Sequence, residues 1–276
     1  MHSKPKQMGY RTAAITISST LVFSGLATAA TVKVTVENLA PVRGFFVSQL
    51  WVGFHDGTFD VFNPGEPAPE FLERLAEDAI VNSTGPFTET ISTAFANSNP
   101  GGTQGIILGT TGPFRVFDSG DRTSGIFTLD STNNQYFSYG AMGLPSNDAF
   151  IANGNPLAFK IFEDNGRFTG ADFIVTGTQV WDAGAEVNDE IPTNTAALAQ
   201  AAPNTGQAEN GLVRLHPGFL VNGNILAARP NADFTQPNYS IVRIQVTQVA
   251  EPSVTVGLMV VGGMVLLSRR LYRHLR

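Results

Sequence analysis

The sequence predicts an all-β protein, an antiparallel β-sandwich with one short helix. Short apolar or alternating runs recur about every 10 to 15 residues, a spacing typical of strands joined by turns. Turn-forming residues are frequent and spread along the chain, with 28 Gly and 16 Pro among 276 residues. Helical periodicity occurs in one stretch, and strands and helices do not alternate in the way that builds a parallel sheet.

The first and last strands have the clearest patterns. Residues 32–38, VKVTVEN, alternate strictly between apolar and polar side chains and predict an edge-type strand. Residues 239–249, YSIVRIQVTQV, alternate in the same way and close the domain. Apolar and aromatic runs between them predict further strands within residues 44–54, 105–109, 113–117, 125–129, 136–142, 157–162 and 173–176.

Residues 67–79, PAPEFLERLAEDA, form the stretch with helical periodicity. The apolar side chains share one face, and Glu70 and Arg74 stand four residues apart, the spacing of a favourable ion pair. Acidic residues crowd both ends, so we expect a short helix laid on the surface. Residues 187–211 are polar, with an alanine-rich patch, and predict a long loop.

The composition excludes several kinds of protein. Cysteine is absent, so the chain has no disulfide framework, thiolate metal site or cysteine nucleophile. Residues 31–249 hold 10 basic and 22 acidic side chains, a net charge of −12. This charge argues against a nucleic-acid partner, which needs a basic face, and fits a protein that meets divalent cations.

The beginning of the chain has the pattern of an export signal. Basic residues precede an apolar stretch at 13–26, and Ala27 and Ala29 stand at the spacing typical of a cleavage site. We therefore predict a signal peptide over residues 1–30 and a single domain over residues 31–249. A membrane-anchoring first helix is the alternative.

Residues 250–276 combine three features in a fixed order. Glu251-Pro252 follows the last strand, residues 254–267 form an uncharged apolar run, and arginines close the chain. A helix over this run would cover about 21 Å, less than a full membrane span requires. The order resembles the PEP-CTERM sorting signal, whose tail is processed by a membrane-embedded exosortase, although Ala250 replaces the first Pro of the usual Pro-Glu-Pro. A plain transmembrane tail anchor is the alternative.

Acidic residues cluster around a glycine turn in residues 178–190, TQVWDAGAEVNDE. Gly184 lets the chain turn, and such a turn brings Asp182 and Glu186 together. Converging carboxylates repel each other unless a proton or a cation lies between them, and calcium takes carboxylate and carbonyl oxygens. The pattern therefore indicates half of a cation site. An acidic, solvated surface loop is the alternative.

Five segments of the chain together resemble one protein family. They are VKVTVENL at the start, GEPAPEFLERLAEDA over the predicted helix, LPSNDAF at 144–150, VWDAGAE at 180–186 and IVRIQVTQV at the end. In this combination residues 31–249 resemble the spondin domain, and Pro-Ser-x-Asp together with Trp-Asp-Ala-Gly is the specific part. The resemblance implies a β-sandwich similar to calcium-dependent phospholipid-binding domains.

The resemblance also implies a calcium (Ca2+) site and its ligands. Carried over residue by residue, the metal ligands are Asp148 of the Pro-Ser-x-Asp loop and Asp182 and Glu186 of the Trp-Asp-Ala-Gly turn. The family has Asp where this chain has Glu186, and Glu is a longer but still hard oxygen donor. Asp189 and Glu190 have no counterpart in the family's ligand set.

These observations predict an exported calcium-binding module for adhesion or matrix interaction, at the cell surface or in the extracellular matrix, and not an enzyme. The expected partners are an extracellular protein or polysaccharide, with an exosortase-type enzyme for the tail. The alternatives are a secreted hydrolase of extracellular polymer and a calcium-bridged glycan- or membrane-binding domain. His55 and His216 are the domain's histidines, but no G-x-S-x-G motif accompanies them, and no His or Cys spacing fits zinc.

Overall fold

Two antiparallel sheets form the framework of the computed structural model, which describes residues 29–250. The predicted fold class, an all-β sandwich, is confirmed. The signal peptide and the sorting tail predicted for the two ends lie outside the described residues, apart from Ala29, Ala30 and Ala250. Within residues 29–250, no helix has the length and apolar character needed to cross a membrane.

Eleven strands and three α-helices follow one another along the described chain. The strands are β1 (Ala30–Asn38), β2 (Phe46–Val47), β3 (Leu50–His55), β4 (Thr103–Ile107), β5 (Arg122–Leu129), β6 (Tyr136–Leu144), β7 (Ala149–Ala152), β8 (Ala171–Thr176), β9 (Trp181–Asp182), β10 (Arg214–Leu215) and β11 (Ser240–Gln248). The helices are α1 (Glu70–Asp78), α2 (Ile91–Ser98) and α3 (Asn224–Ala228), with a 3₁₀ turn at Gly177–Gln179.

The smaller sheet has four strands in the order β5-β1-β11-β8. β1 pairs with β11 on one side and with β5 on the other, so the prediction of an edge strand at 32–38 was wrong. Its alternation reflects one face on the core and one on solvent, which a central antiparallel strand also has. Val32, Val34 and Val36 are all fully buried on the core face.

The larger sheet runs β10-β9-β7-β6-β3-β4, and β2 pairs with β6 at its side. Its inner face and that of the smaller sheet enclose the main core, which is rich in phenylalanine. Phe54 of β3 lies at the centre of this packing, with ring centroids 5.2 Å from Phe127 and 5.4 Å from Phe137. These distances are in the range in which aromatic pairs add to the free energy of burial.

Helices α1 and α2 cover the opposite face of the larger sheet and enclose a second core. Leu72 and Leu75 of α1 are fully buried there, together with Trp51 of β3 and Phe95 of α2. The prediction of a surface-laid helix was therefore wrong. The acidic ends of the 67–79 segment suggested exposure, but the apolar stripe of α1 is long enough to bury one face of the helix.

Two further differences between the predicted and the observed elements have local causes. The sequence predicted one helix, whereas α2 begins in a Ser- and Thr-rich region, where Thr90 and Thr93 form a capping box and Phe95 supplies the buried anchor. Residues 113–117 and 157–162 were predicted as strands but form only isolated bridges. Phe117, Ile161 and Phe162 are buried in the core without a continuous ladder, whereas Phe114 and Leu157 are exposed, and periodicity alone does not reveal this.

Replacing Phe54 with Ala should lower the free energy of unfolding by about 3 to 5 kcal/mol, because a fully buried ring leaves a cavity between the sheets. Ile126→Ala is the matched control, since Ile126 is 59% exposed on β5. The control should cost about 1 kcal/mol or less. Urea denaturation of both variants compares the two values, and equal losses would contradict the assignment of Phe54 to the core.

Candidate functional site

Asp148 lies between β6 and β7 and is fully buried. Its Oδ2 accepts hydrogen bonds from the backbone N–H groups of Ala185 (2.8 Å) and Glu186 (3.0 Å), so this carboxylate holds the turn after β9 in place. Its Oδ1 has no hydrogen-bond partner among residues 29–250. Burial, and secondly the negative charge of Asp182, raise the pKa of Asp148 to about 7.

Asp182 ends β9, opposite Ala149 of β7, and its side chain is also fully buried. Its Oδ1 accepts from the backbone N–H of Gly184 at 2.7 Å. Its Oδ2 accepts from Asn188 Nδ2 at 2.9 Å and from Arg214 Nε at 3.2 Å. Both carboxylate oxygens of Asp182 are therefore hydrogen-bonded, and the guanidinium of Arg214 balances its charge.

The carboxylate of Glu186 is held by a segment that does not contact the other two predicted ligands. Its Oε1 accepts from the backbone N–H of Gly206 at 2.9 Å, while Oε2 has no hydrogen-bond partner within the described chain. The residue is 2% exposed, and burial, with a further contribution from Asp78, raises the pKa of Glu186 to about 7. Thus the turn brings the backbone of Glu186 to Asp148, and the backbone N–H of Gly206 holds the carboxylate.

Helix α1 adds two buried carboxylates that the sequence analysis missed. Burial is the largest cause that raises the pKa of Glu77, to about 8, and Glu186 and Asp78 raise it further. Arg74 moderates this charge, with Nη2 2.9 Å from Glu77 Oε2 and Nη1 3.5 Å from Asp78 Oδ2. The sequence Leu-Ala-Glu-Asp at the end of an amphipathic helix could have indicated these buried acids. The sequence analysis instead expected them to lie in solvent.

We call these five carboxylates the acidic row, and its members are Asp182, Asp148, Glu186, Glu77 and Asp78. Arg214 lies at one end of the row and Arg74 at the other. Three members of the row have pKa values raised to about 7 or 8, with burial as the first cause in each case. The five carboxyl groups outnumber the two guanidinium groups, so buried negative charge builds up in the row as its carboxyls ionise.

The remaining acids of the turn have structural roles. Glu190 is buried, and its two oxygens accept from the backbone N–H groups of Leu220 (2.6 Å) and Ile225 (3.1 Å). Asp189 accepts from the N–H of Ile191 at 2.8 Å. Both acids therefore anchor neighbouring backbone, and the resemblance did not count them as ligands.

The row contains oxygen ligands of the kind that a hard cation binds. They do not form a complete coordination shell. Three oxygens of the row have no hydrogen bond within residues 29–250, Asp148 Oδ1, Glu186 Oε2 and Glu77 Oε2, although Arg74 Nη2 lies 2.9 Å from the last. The buried Oδ1 of Asn147 has none either. Carboxylate and amide oxygens are the ligands that calcium prefers. No group of three or more His, Asp or Glu side chains in the described chain is arranged to hold a metal ion.

The buried histidine of the larger sheet does not form a catalytic pair with serine. His55 Nδ1 accepts from the N–H of Gly57 at 3.0 Å, so Nε2 carries the proton and donates to Ser138 Oγ at 2.9 Å. A ring nitrogen that already donates to the hydroxyl cannot accept its proton. Burial also lowers the pKa of His55 to about 4 and both residues are fully buried, which is typical of a structural contact.

No family model matches the chain, and no curated protein shows significant similarity to it. The resemblance to the spondin domain therefore rests on the motif residues themselves. The calcium site at Asp148, Asp182 and Glu186 stays a prediction.

Without a bound cation, the free energy of unfolding should fall as pH rises from about 5 to about 8. Asp148, Glu186 and Glu77 have native pKa values of about 7, 7 and 8, above their ordinary values of 3.8, 4.5 and 4.5. The native state therefore holds more protons than the unfolded state in this window, and it loses stability as these carboxyls ionise. Urea denaturation in a chelator at several pH values measures the slope.

Asp148→Asn should make this pH dependence shallower, because Asn keeps an oxygen for the two backbone N–H groups and carries no charge. Glu89→Gln is the control, since Glu89 is an exposed carboxylate outside the row. A wild-type stability that rises across the same pH window would contradict the predicted burial of ionisable carboxyls.

Proposed function

We propose that the chain is an exported calcium-binding module of the spondin type, which acts in adhesion or matrix interaction and not as an enzyme. The observation that carries this proposal is the pair of buried carboxylate oxygens without donors, Asp148 Oδ1 and Glu186 Oε2, counted within residues 29–250. A buried ionised carboxylate is destabilising unless a positive charge or enough donors compensate it. A cation with a preference for oxygen supplies that compensation.

Asp148, Asp182 and Glu186 are the residues proposed to hold calcium. Asp148 comes from the connection between β6 and β7, whereas Asp182 ends β9 and Glu186 lies in the turn after it. Calcium bound to both segments supplies positive charge and cross-links them, which stabilises this end of the sandwich for a partner. Because the chain has no cysteine, a cation of this kind would take the place of a covalent cross-link.

The location and partners follow from the ends of the chain and from its charge. The pattern of residues 1–30 supports export, and that of residues 250–276 supports sorting to the cell surface by an exosortase-type enzyme. We propose an extracellular protein or polysaccharide as the partner. Nucleic acid is not a proposed partner, since residues 31–249 carry a net charge of −12.

One observation favours the alternative of a calcium-bridged membrane-binding domain. The three most exposed large apolar side chains of residues 29–250, between 72% and 85% exposed, are Val42, Phe114 and Val221. They project from three separate connections, and Arg229 joins two of these by pairing with Asp118 and donating to the carbonyl of Gly44 at 2.7 Å. Exposed apolar side chains of this kind suit insertion at a lipid surface.

Calcium should raise the melting temperature of the wild-type chain. At a concentration about 100 times its Kd, a ligand that binds only the native state adds about 2.7 kcal/mol to the free energy of unfolding. Asp148→Asn should lose most of this gain, and Glu89→Gln should keep it. Thermal denaturation in calcium and in chelator tests the proposal, and identical wild-type curves in the two solutions would refute it.

The adhesion function requires a second measurement, with the full chain added to extracellular matrix from the cells that produce it. Wild-type protein should be retained in calcium and released by chelator, because the partner surface depends on the bound cation. Asp148→Asn should be retained weakly in both conditions. Retention on vesicles of anionic phospholipid, without retention on matrix, would favour the membrane-binding alternative.

A further inference from the structure

The connection over residues 187–211 leaves the sandwich and returns to it beside the turn after β9. The backbone N–H of Val187 donates to the carbonyl oxygen of Gln207 at 2.8 Å. The N–H of Glu209 donates to the carbonyl oxygen of Ala185, also at 2.8 Å. These bonds close the base of the connection. The part beyond the base has no helix or strand, so other contacts hold it against the protein.

Two residues fix where the outer part of this connection begins and ends. Ala196 is buried, and its N–H donates to the carbonyl oxygen of Ser146 at 3.0 Å. Gly206 donates its N–H to Glu186 Oε1 at 2.9 Å, and a Cβ at residue 206 would lie 2.0 Å from the same carboxylate. We call residues 197–205, between these two fixed points, the flap.

The flap buries very little of its own surface. Leu198 and Gln200 are half-buried, and every other residue of the flap is exposed. Burial of apolar side chains is the main force that holds segments of a protein together. That force is small here, so the position of the flap depends on a few polar contacts.

The backbone of the flap has an unusual conformation near both of its ends. Ala197 has a φ of 63° and Asn204 a φ of 56°, both in the left-handed region. A side chain with a Cβ disfavours this region, and alanine lacks the polar group that helps asparagine to adopt it. Loop residues that can change φ and ψ are the usual hinges of a moving segment. These two residues are therefore the places where the flap can turn.

One carboxylate oxygen of α1 receives both hydrogen bonds between the flap and this helix. Asp78 Oδ1 accepts from Gln200 Nε2 at 3.3 Å and from the backbone N–H of Asn204 at 3.3 Å. The other oxygen, Oδ2, lies 3.5 Å from Arg74 Nη1, and the side chain of Asp78 is 3% exposed. Asp78 thus lies below the flap and ties it to the helix.

We propose that the flap opens by rotation at Ala197 and Asn204 and that Asp78 is the latch that holds it closed on α1. Opening exposes the carboxylate of Asp78, so water and dissolved ions reach the α1 end of the acidic row. Water then supplies the hydrogen bonds that Gln200 and Asn204 supply in the closed state. This inference goes beyond the proposed function, because it uses the chain's own contacts and no bound cation.

Spin labels on the full chain can measure the opening directly. The chain has no cysteine, so Glu70→Cys at the start of α1 and Ala201→Cys in the flap give two specific labelling sites, both exposed. In this doubly labelled background, double electron–electron resonance should show mainly one distance between the labels. Adding Asp78→Ala should raise a population at longer distance about tenfold, the effect of losing two ordinary hydrogen bonds.

Asp78→Asn is the matched control, because Asn keeps an oxygen that accepts from Gln200 and Asn204. Its distance distribution should equal that of the background with Asp78 intact. Gln200→Ala removes one of the two hydrogen bonds without changing α1, and it should give a smaller rise of the longer distance. The same distribution in Asp78→Ala, Gln200→Ala and the background would overturn the inference.

Hydrogen exchange of unlabelled wild type and Asp78→Ala separates an opened flap from a destabilised protein. Asp78→Ala should speed the exchange of amides in the flap and leave those of β1 and β11 unchanged. Equal acceleration in the flap and in both strands would overturn the role of Asp78 as a latch. All these measurements are made in chelator, so failure of the proposed calcium site leaves the flap intact, and an immobile flap leaves the calcium site untouched.

Discussion

The burial of negative charge at one side of the larger sheet is the constraint on which the rest of this site depends. A carboxylate moved from water into the protein needs donors or a counter-charge to remain ionised. Backbone N–H groups supply donors to Asp148, Asp182 and Glu186, and Arg74 and Arg214 supply counter-charge at the ends of the row. The geometry of the turn after β9 follows from these contacts.

The sandwich provides the fixed positions from which these contacts are made. The short strands β7 and β9 pair with each other, so Asp148 and Asp182 start from neighbouring backbone positions. Helix α1 is fixed to the other side of the site by Leu72 and Leu75, which turn Glu77 towards the interior. Packing of apolar side chains thus determines where charged ones meet.

Sequence reasoning identified the parts of this arrangement that depend on local pattern. Strict alternation identified β1 and β11, and the glycine turn placed Asp182 and Glu186 on one short segment. The direction of the Glu186 side chain could not be predicted, because it depends on a backbone N–H twenty residues later, at Gly206. Glu77 was missed for a similar reason. Residues 199–208 pack over the end of α1, and helical periodicity does not show that a distant segment buries this end of the helix.

The two hydrogen bonds from the turn to Asp148 Oδ2 are made by the protein's own backbone, and they fix the chain around the predicted ligands. A site built in this way loses little conformational entropy when its ion arrives. The occupancy of the proposed calcium site would then follow the free calcium concentration without a folding step, so the stability of this end of the sandwich would change with that concentration.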